Sequence, residues 1–301
     1  MRIGVAATPS VALPVLDWLA TSSYEIALVI TQPDRRSGRG QEILASPVAQ
    51  WAIANGVHLL RPETPHDLVG FLEDLDCVLT IGYGILLPEE ILVLPRHGFL
   101  NLHFSLLPAY RGAAPVQRAI ENGETITGVT VFALDKGMDT GPIYTSAQLA
   151  IDPRWRTGEL MQALAQMGPS VVDAALTSIA NGVAPQKQVG ISSSAPKISK
   201  KEAEIDWSRS AEEIARKVRA FYPAPGAWST WDGAGFKVTR AKISQGELSI
   251  GEIAIIDGDV VVGCGSKSAL SLLSVVPAGK KEMKAGDWAR GARLSPGAHF
   301  G

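Results

Sequence analysis

Between Arg2 and Leu134, short apolar runs of strand length alternate with segments of helical period, and this rhythm leaves the chain few architectures to choose from. Arg2–Ala7, Ala27–Thr31, Val57–Leu60, Cys77–Ile81, Phe99–Phe104 and Gly128–Leu134 read as strands. Helices are expected between them. One turns in at Thr8-Pro9-Ser10 and runs through about Ala20. A second opens with Ser46 as N-cap and Pro47 at the first helical position and is closed by Gly56. A third lies near Ala114–Asn122, and a long one covers about Thr157–Ala180, ending at Asn181-Gly182. Strands and helices in this order give an α/β fold with a parallel or mostly parallel sheet covered by helices.

The pattern then changes. Pro185–Lys201 has no clear period, contains Ser192-Ser193-Ser194 and reads as a linker. Ser210–Phe221 is an amphipathic helix in which Ser210 and Glu213 form a capping box. Pro223-Ala224-Pro225-Gly226 breaks the chain, after which short apolar runs alternate with turns such as Asp232-Gly233 and Asp257-Gly258, as in a small β domain or barrel. A chain of 301 residues has room for two domains of about 100–200 residues. The expected division is an α/β domain over 1–190, a linker over 191–207 and a β-rich domain over 208–301.

Charge separates the same two regions. Residues 1–196 carry 12 Lys and Arg against 18 Asp and Glu, whereas residues 197–301 carry 16 against 12. The basic back part is the better contact for a polyanion, although so small an excess also suits an ordinary solvated surface. Cys77 and Cys264 stand alone, without a second Cys or His at ligand spacing, so no disulfide framework and no metal site is expected. No run reaches the roughly 20 apolar residues of a membrane span, and the N-terminal stretch carries Pro14 and Asp17 rather than a signal peptide's core. A cytoplasmic location is expected.

One strand departs from its own pattern. In Phe99–Phe104, Leu100, Leu102 and Phe104 share one face and Asn101 and His103 the other, just before the chain leaves the strand. A strand buried on both faces should be apolar on both, and the carboxyl end of such a strand is where ligands sit. Asp139, in Met138-Asp139-Thr140-Gly141, adds a carboxylate from what reads as a loop between two strands. Singly these residues have plain readings as a strand-end cap, a core histidine and a turn former. Together an amide, an imidazole and a carboxylate can hold a carbonyl oxygen, move a proton and orient the imidazole, which is what acyl transfer requires. The first strand lacks G-x-G-x-x-G, no P-loop occurs and no G-x-S-x-G elbow is present, which argues against a dinucleotide, a nucleotide triphosphate and a serine hydrolase.

Longer strings carry a resemblance. Thr31-Gln32-Pro33-Asp34-Arg35, Ser37-Gly38-Arg39-Gly40, Gly82-Tyr83-Gly84-Ile85-Leu86-Leu87-Pro88 and Asn101-Leu102-His103 with Ser105-Leu106-Leu107-Pro108 come in a known order. Tyr110-Arg111-Gly112-Ala113-Ala114-Pro115-Val116-Gln117-Arg118, Met138-Asp139-Thr140-Gly141, Lys197-Ile198-Ser199-Lys200-Lys201-Glu202 and Pro277-Ala278-Gly279-Lys280-Lys281 follow. The chain resembles, almost end to end, the methionyl-tRNA formyltransferases among the enzymes that use 10-formyltetrahydrofolate. It departs from them at Ala6-Ala7-Thr8-Pro9 and Val11, at Phe104, and at Gln41-Glu42, where lysines are usual.

The resemblance implies a Rossmann-like formyltransferase domain followed by a C-terminal barrel resembling an oligonucleotide-binding fold. It implies transfer of a formyl group from 10-formyltetrahydrofolate to the α-amine of methionine on initiator tRNA, by a monomer. Asn101, His103 and Asp139 would be the catalytic group. Ser105, Leu106, Leu107 and Pro108 with Leu86 and Leu87 would meet the folate, although core packing explains the leucines equally well. Arg36 and Arg39 would enter the tRNA acceptor end, and Lys200, Lys201, Lys280 and Lys281 would meet its phosphates; as exposed lysines, these four also serve solubility. Two rivals remain: an N-formyltransferase of amino-sugar nucleotides, and a nucleic-acid-binding module with a degenerate α/β scaffold.

Overall fold

A computed structural model of the chain describes residues 1–37 and 42–301, without the side chains of residues 35–37, 42 and 43. In chain order the strands and helices of the first region are β1 (Arg2–Ala7), α1 (Leu13–Thr21), β2 (Glu25–Ile30), β3 (Arg35–Ser37), β4 (Glu42–Leu44) and α2 (Pro47–Ala54). They continue with β5 (Leu59–Leu60), β6 (Cys77–Ile81), α3 (Glu89–Leu92), β7 (Phe99–His103), α4 (Pro115–Glu121), β8 (Ile126–Ala133), β9 (Ile143–Ala150) and α5 (Thr157–Ala180). The second region holds α6 (Ala211–Phe221), β10 (Trp228–Trp231), β11 (Ala234–Ser244), β12 (Ile253–Ile256), β13 (Asp259–Cys264), β14 (Ser268–Pro277), β15 (Met283–Lys284) and α7 (Ala285–Ala292). These elements group into two compact units. Unit 1 is Met1–Ala113, Ile126–Ala150 and Met161–Ala195; unit 2 is Ala114–Thr125, Ile151–Leu160 and Pro196–Gly301.

Unit 1 is built on a seven-stranded sheet in the order β5-β2-β1-β6-β7-β8-β9. The first five strands run parallel, and β8 and β9 are antiparallel additions. The chain winds from β1 outward through β2 to β5, then crosses back to β6 and proceeds the other way. The order therefore reverses between β1 and β6, and a ligand crevice forms beyond the carboxyl ends of strands at such a reversal. All five residues of β6 are buried, as expected of a central parallel strand packed on both faces. The Ser46 hydroxyl accepts from the Ala49 backbone N–H at 3.0 Å, and Gly56 closes α2 with φ 65°.

At the reversal the loops after β1, β2 and β6 are tied together. The Gln32 side-chain amide donates to the Tyr83 carbonyl at 2.7 Å, and the Thr8 hydroxyl reaches the same carbonyl at 3.5 Å. Gly82 has φ 58°, and a Cβ there would lie 2.9 Å from the Pro9 ring. After β2, β3 and β4 pair as a short antiparallel ladder, with Arg35 opposite Leu44, Arg36 opposite Ile43 and Ser37 opposite Glu42.

Unit 2 is a six-stranded antiparallel sheet, β10-β11-β14-β13-β12 with β15 paired to β14. The two edges, β10 and β12, are joined by the last residues of the chain. Ile253 donates to the Ala298 carbonyl at 2.7 Å and Phe300 to the Gly251 carbonyl at 2.9 Å, while Gly301 donates to the Thr230 carbonyl at 3.2 Å. This bridge links the two edges and closes the sheet into a barrel. Phe300 points into the core that the closure creates: its ring stacks on Trp207 at 5.2 Å and meets Phe236 at 5.0 Å. Helix α6 carries the capping box, with the Ser210 hydroxyl accepting from the Glu213 N–H and the Glu213 carboxylate accepting from the Ser210 N–H. Helix α4 packs beside α6 in this unit, and the Arg216 guanidinium donates to the Glu121 carbonyl at 3.1 Å.

Candidate active site

Strand β7 lies between β6 and β8, with Asn101 opposite Thr80 on one side and Phe132 on the other, and His103 opposite Thr130. The i, i+2 spacing puts the Asn101 amide and the His103 imidazole on one face at the carboxyl end of the strand. His103 is only 6% exposed and Asp139 11%, so bulk water screens the pair little. Asp139 Oδ2 stands 3.7 Å from His103 Nδ1. That is close enough for a strong charge interaction once the ring is protonated, but too long for a hydrogen bond.

The other ring nitrogen fixes the proton's place. His103 Nε2 lies 2.9 Å from the Tyr110 carbonyl. A carbonyl can only accept, so Nε2 carries the hydrogen and the neutral ring presents a bare Nδ1. Burial pushes the His103 pKa below its ordinary 6.5, and the charge of Asp139 and the Tyr110 carbonyl pull in the opposite direction. The imidazole is therefore neutral at neutral pH, with a free lone pair at Nδ1 and a carboxylate waiting beside it.

Asp139 is held by the backbone. The Gly112 N–H donates to Asp139 Oδ2 at 2.7 Å. Gly112 has φ 122°, and a Cβ would sit 2.8 Å from the Ala195 carbonyl oxygen, so only glycine brings its N–H to this place. Asp139 itself has φ 54°, a left-handed conformation that costs an L residue about 1–2 kcal/mol. The carboxylate is positioned at the expense of backbone strain in the turn that carries it.

The Asn101 amide makes no hydrogen bond to any other side chain or backbone group among the described residues, and the residue is half-buried. A half-buried donor near the carboxyl end of a central strand is equipped to hold an oxygen of a ligand. Around it, Ser105 is fully buried, its hydroxyl donating to the Ala109 carbonyl at 2.6 Å and its carbonyl accepting from the Thr130 hydroxyl at 2.7 Å. Leu107 is buried, and its N–H reaches Thr130 Oγ1 at 3.2 Å. Leu87 belongs to the core cluster with Tyr83 and Ile91, whereas Leu86 is 79% exposed. Of the expected folate leucines, Leu86 thus offers its side chain freely, and Ser105 and Leu107 shape the turn from within.

The expected site residues divide between the units. Asn101, His103, Asp139, Leu86, Leu87 and Ser105–Pro108 belong to unit 1. Lys200, Lys201, Lys280 and Lys281 are exposed residues of unit 2, and Lys200 Nζ stands 6.0 Å from the centre of the Trp228 ring. Arg39 lies outside the described residues, as does the side chain of Arg36. Among the described residues no cluster of His, Cys, Asp and Glu is placed to hold a metal ion, and no helix is long and apolar enough to cross a membrane.

Residues without an assigned role in the sequence also belong here. Tyr110, Gly112 and Gln188 touch His103, Asp139 or the loop that carries Asp139: Gln188 Nε2 donates to the carbonyls of Asp139 at 2.9 Å and Gly141 at 2.8 Å. Tyr110 and Gly112 act through backbone atoms: the Tyr110 carbonyl leaves no mark in the residue type, and a glycine at 112 does not by itself tell which group its N–H meets. Gln188 lies in the aperiodic stretch read as a linker, and nothing local distinguishes its amide from that of an exposed glutamine.

Comparison with known proteins identifies the family. Residues 1–176 match the formyl transferase family, and residues 197–293 match the formyl transferase C-terminal domain. The methionyl-tRNA formyltransferase of a Nocardioides species is 46% identical over 100% of this chain and 98% of its own length. That of Streptomyces coelicolor is 42% identical over the full length of both chains. Among solved structures, the N-formyltransferase of Helicobacter canadensis, determined with folinic acid and dTDP-3-aminofucose, superposes with a TM-score of 0.69 at 17% identity. It spans 90% of this chain and 98% of its own, and the likeness is one of fold. With curated relatives above 40% identity end to end and both domain families matched in order, the chain belongs to the methionyl-tRNA formyltransferase family.

Proposed function

We propose that the protein transfers the formyl group of 10-formyltetrahydrofolate to the α-amine of methionine on initiator tRNA, with Asn101, His103 and Asp139 as its catalytic residues. The observation that carries this reading is the bare Nδ1 of a buried neutral imidazole, flanked by an unengaged amide and a fixed carboxylate. The residues fit a bound folate: Asn101 keeps an unused donor, and Leu86 offers an exposed apolar side chain on the loop after β6.

10-Formyltetrahydrofolate supplies a formyl group attached to nitrogen. As the amine of methionine bonds to the formyl carbon, Asn101 donates its N–H to the carbonyl oxygen, where negative charge collects. His103 Nδ1 takes the proton that the amine sheds. The imidazolium so formed faces Asp139 Oδ2, whose charge stabilises it, while Nε2–H stays bonded to the Tyr110 carbonyl. When the bond from the formyl carbon to the folate nitrogen breaks, His103 returns the proton to that nitrogen and regains its neutral form.

In this reading the α/β part (1–190) carries the chemistry, the β-rich part (208–301) holds the tRNA and residues 191–207 connect them. Arg36 and Arg39 meet the acceptor end, where a guanidinium suits phosphates and unstacked bases, and Lys200, Lys201, Lys280 and Lys281 supply charge to the phosphate backbone. Ser105–Pro108, Leu86 and Leu87 form the wall for the folate. The protein works as a monomer in the cytoplasm, where its acceptor is made.

The test is formylation with 10-formyltetrahydrofolate and four acceptors: methionyl initiator tRNA, methionyl elongator tRNA, free methionine and a dTDP-amino sugar. Formyl on the initiator tRNA alone is the expected result; formyl on the sugar nucleotide instead would overturn it. Arg39→Ala is expected to raise the KM for tRNA by about tenfold or more, the loss of one or two phosphate or stacking contacts, with folate binding unchanged. An unaltered KM for tRNA would remove Arg39 from the interface.

A further inference from the structure

We propose that Gln188, locked by Arg111, is a positioning residue that sets Asp139 against His103; the idea rests on the catalytic roles given above. Residues 186–195 are bonded along unit 1 as a strap. Gln186 and Ile143 exchange backbone hydrogen bonds of 2.8 and 2.7 Å. At the other end Arg111 donates to the Ser193 carbonyl at 2.8 Å, Ala195 donates to the Arg111 carbonyl, and the Ser193 hydroxyl accepts from the Tyr110 N–H at 2.9 Å. Between these anchors Val189 is 88% exposed and Ile191 94% exposed, so the strap is not held by apolar packing of its own. Its inward contact is the Gln188 amide.

That amide uses both ends. Nε2 donates to the carbonyls of Asp139 and Gly141, on either side of Thr140, and so clamps the left-handed turn that aims the Asp139 carboxylate. Oε1 accepts from Arg111 Nε at 3.2 Å and Nη2 at 2.6 Å. A guanidinium has no acceptor and a carbonyl no donor, so the two sets of partners leave the amide a single orientation. Arg111 also stands between the two backbone groups that touch the catalytic pair, the Tyr110 carbonyl on His103 and the Gly112 N–H on Asp139. The ring of contacts closes through Gln188. One side chain thus ties the loop carrying the carboxylate to the segment that orients the imidazole.

A turn at φ 54° relaxes when its clamp is removed, and the carboxylate then loses its place beside Nδ1. The test uses the full-length chain with Gln188→Ala, Arg111→Met and Asp139→Asn, and the double variant Gln188→Ala with Asp139→Asn. Gln188→Ala and Arg111→Met are each expected to lower kcat by about tenfold with little change in KM for the folate, as for a displaced rather than deleted group. In the double variant the Gln188 change should cost nothing beyond the loss from Asp139→Asn, because its effect passes through that carboxylate. A merely structural role would multiply the two losses, and that result would overturn the proposal. So would a kcat for Gln188→Ala equal to wild type.

A second measurement is independent of turnover. NMR titration of the His103 ring should show its pKa lowered in Gln188→Ala in the same direction as in Asp139→Asn, since both withdraw the charge that favours the imidazolium. An unshifted His103 in Gln188→Ala, with a clear shift in Asp139→Asn, would refute the positioning role. Absence of formyl transfer by the wild-type chain would instead refute the functional reading, and the titration would still decide the role of Gln188.

Discussion

Replacing His103 by Ala is expected to lower kcat for formyl transfer by about 10²–10⁴-fold, the usual contribution of a positioned general base. The geometry argues for the whole effect falling on this one side chain. Nδ1 is the bare nitrogen, the Tyr110 carbonyl fixes the tautomer, and Asp139 at 3.7 Å does not itself hydrogen-bond to the ring. The Asp139 carboxylate is already engaged by the Gly112 N–H. His103→Gln tests the same point while nearly keeping the volume of a buried residue, so a loss of similar size in a normally folded protein assigns the effect to chemistry. Steady-state kinetics with tRNA and folate varied separately will show the loss in kcat. Near-normal turnover in both variants would mean that the amine loses its proton to water.

Asn101→Ala carries the second large effect, a fall in kcat of about 10²–10³-fold, as for the loss of one donor from an oxyanion site. The residue points to this role because its amide is unused: among the described residues it supports neither a turn nor a strand neighbour. Removing it should therefore leave the thermal midpoint almost unchanged, in contrast to buried polar groups that tie the fold, such as Thr130, whose hydroxyl bonds the Ser105 carbonyl. Binding of folate in the absence of tRNA should weaken little, since the bond strengthens only as charge grows on the oxygen. A large loss of folate affinity with unchanged kcat would make Asn101 a binding residue.

The parts of the fold legible in the sequence are those governed by local rules. Cys77–Ile81 is a strand and Thr157–Ala180 a helix at the expected bounds, and Ser46 and Ser210 cap the helices they were expected to cap. Elsewhere tertiary contacts decide. Strand β5 shrinks to Leu59–Leu60 because its pairing with β2 extends over only two residues. The ladder of Arg35–Ser37 and Glu42–Leu44 pairs backbone across a polar stretch with no alternating pattern. Closure of the barrel by Ala298–Gly301 depends on edges more than forty residues away, and no turn or cap signal marks it.

The site divides along the same line. Asn101, His103 and Asp139 stand out in the sequence because each puts a polar side chain where an apolar one would suffice, and the fold brings His103 and Asp139 to 3.7 Å of each other. The groups that contact them do not stand out. The Tyr110 carbonyl and the Gly112 N–H are backbone atoms, and Gln188 reaches the site from a stretch whose structure comes entirely from long-range bonds.

The most direct test of the account is the pH dependence of kcat/KM for formylation of methionyl initiator tRNA. Burial holds the His103 pKa below 6.5, and in the proposed mechanism the neutral ring is the base. The α-amine of the acceptor contributes a limb of its own near pH 7.7–8.0, roughly its ordinary range, in wild type and variant alike. Below pH 6.5 wild-type activity should fall further as the ring protonates, and this second, steeper part of the limb should vanish from the residual activity of His103→Gln. A wild-type profile that shows the amine limb alone, or a steeper part unchanged in His103→Gln, would contradict the account.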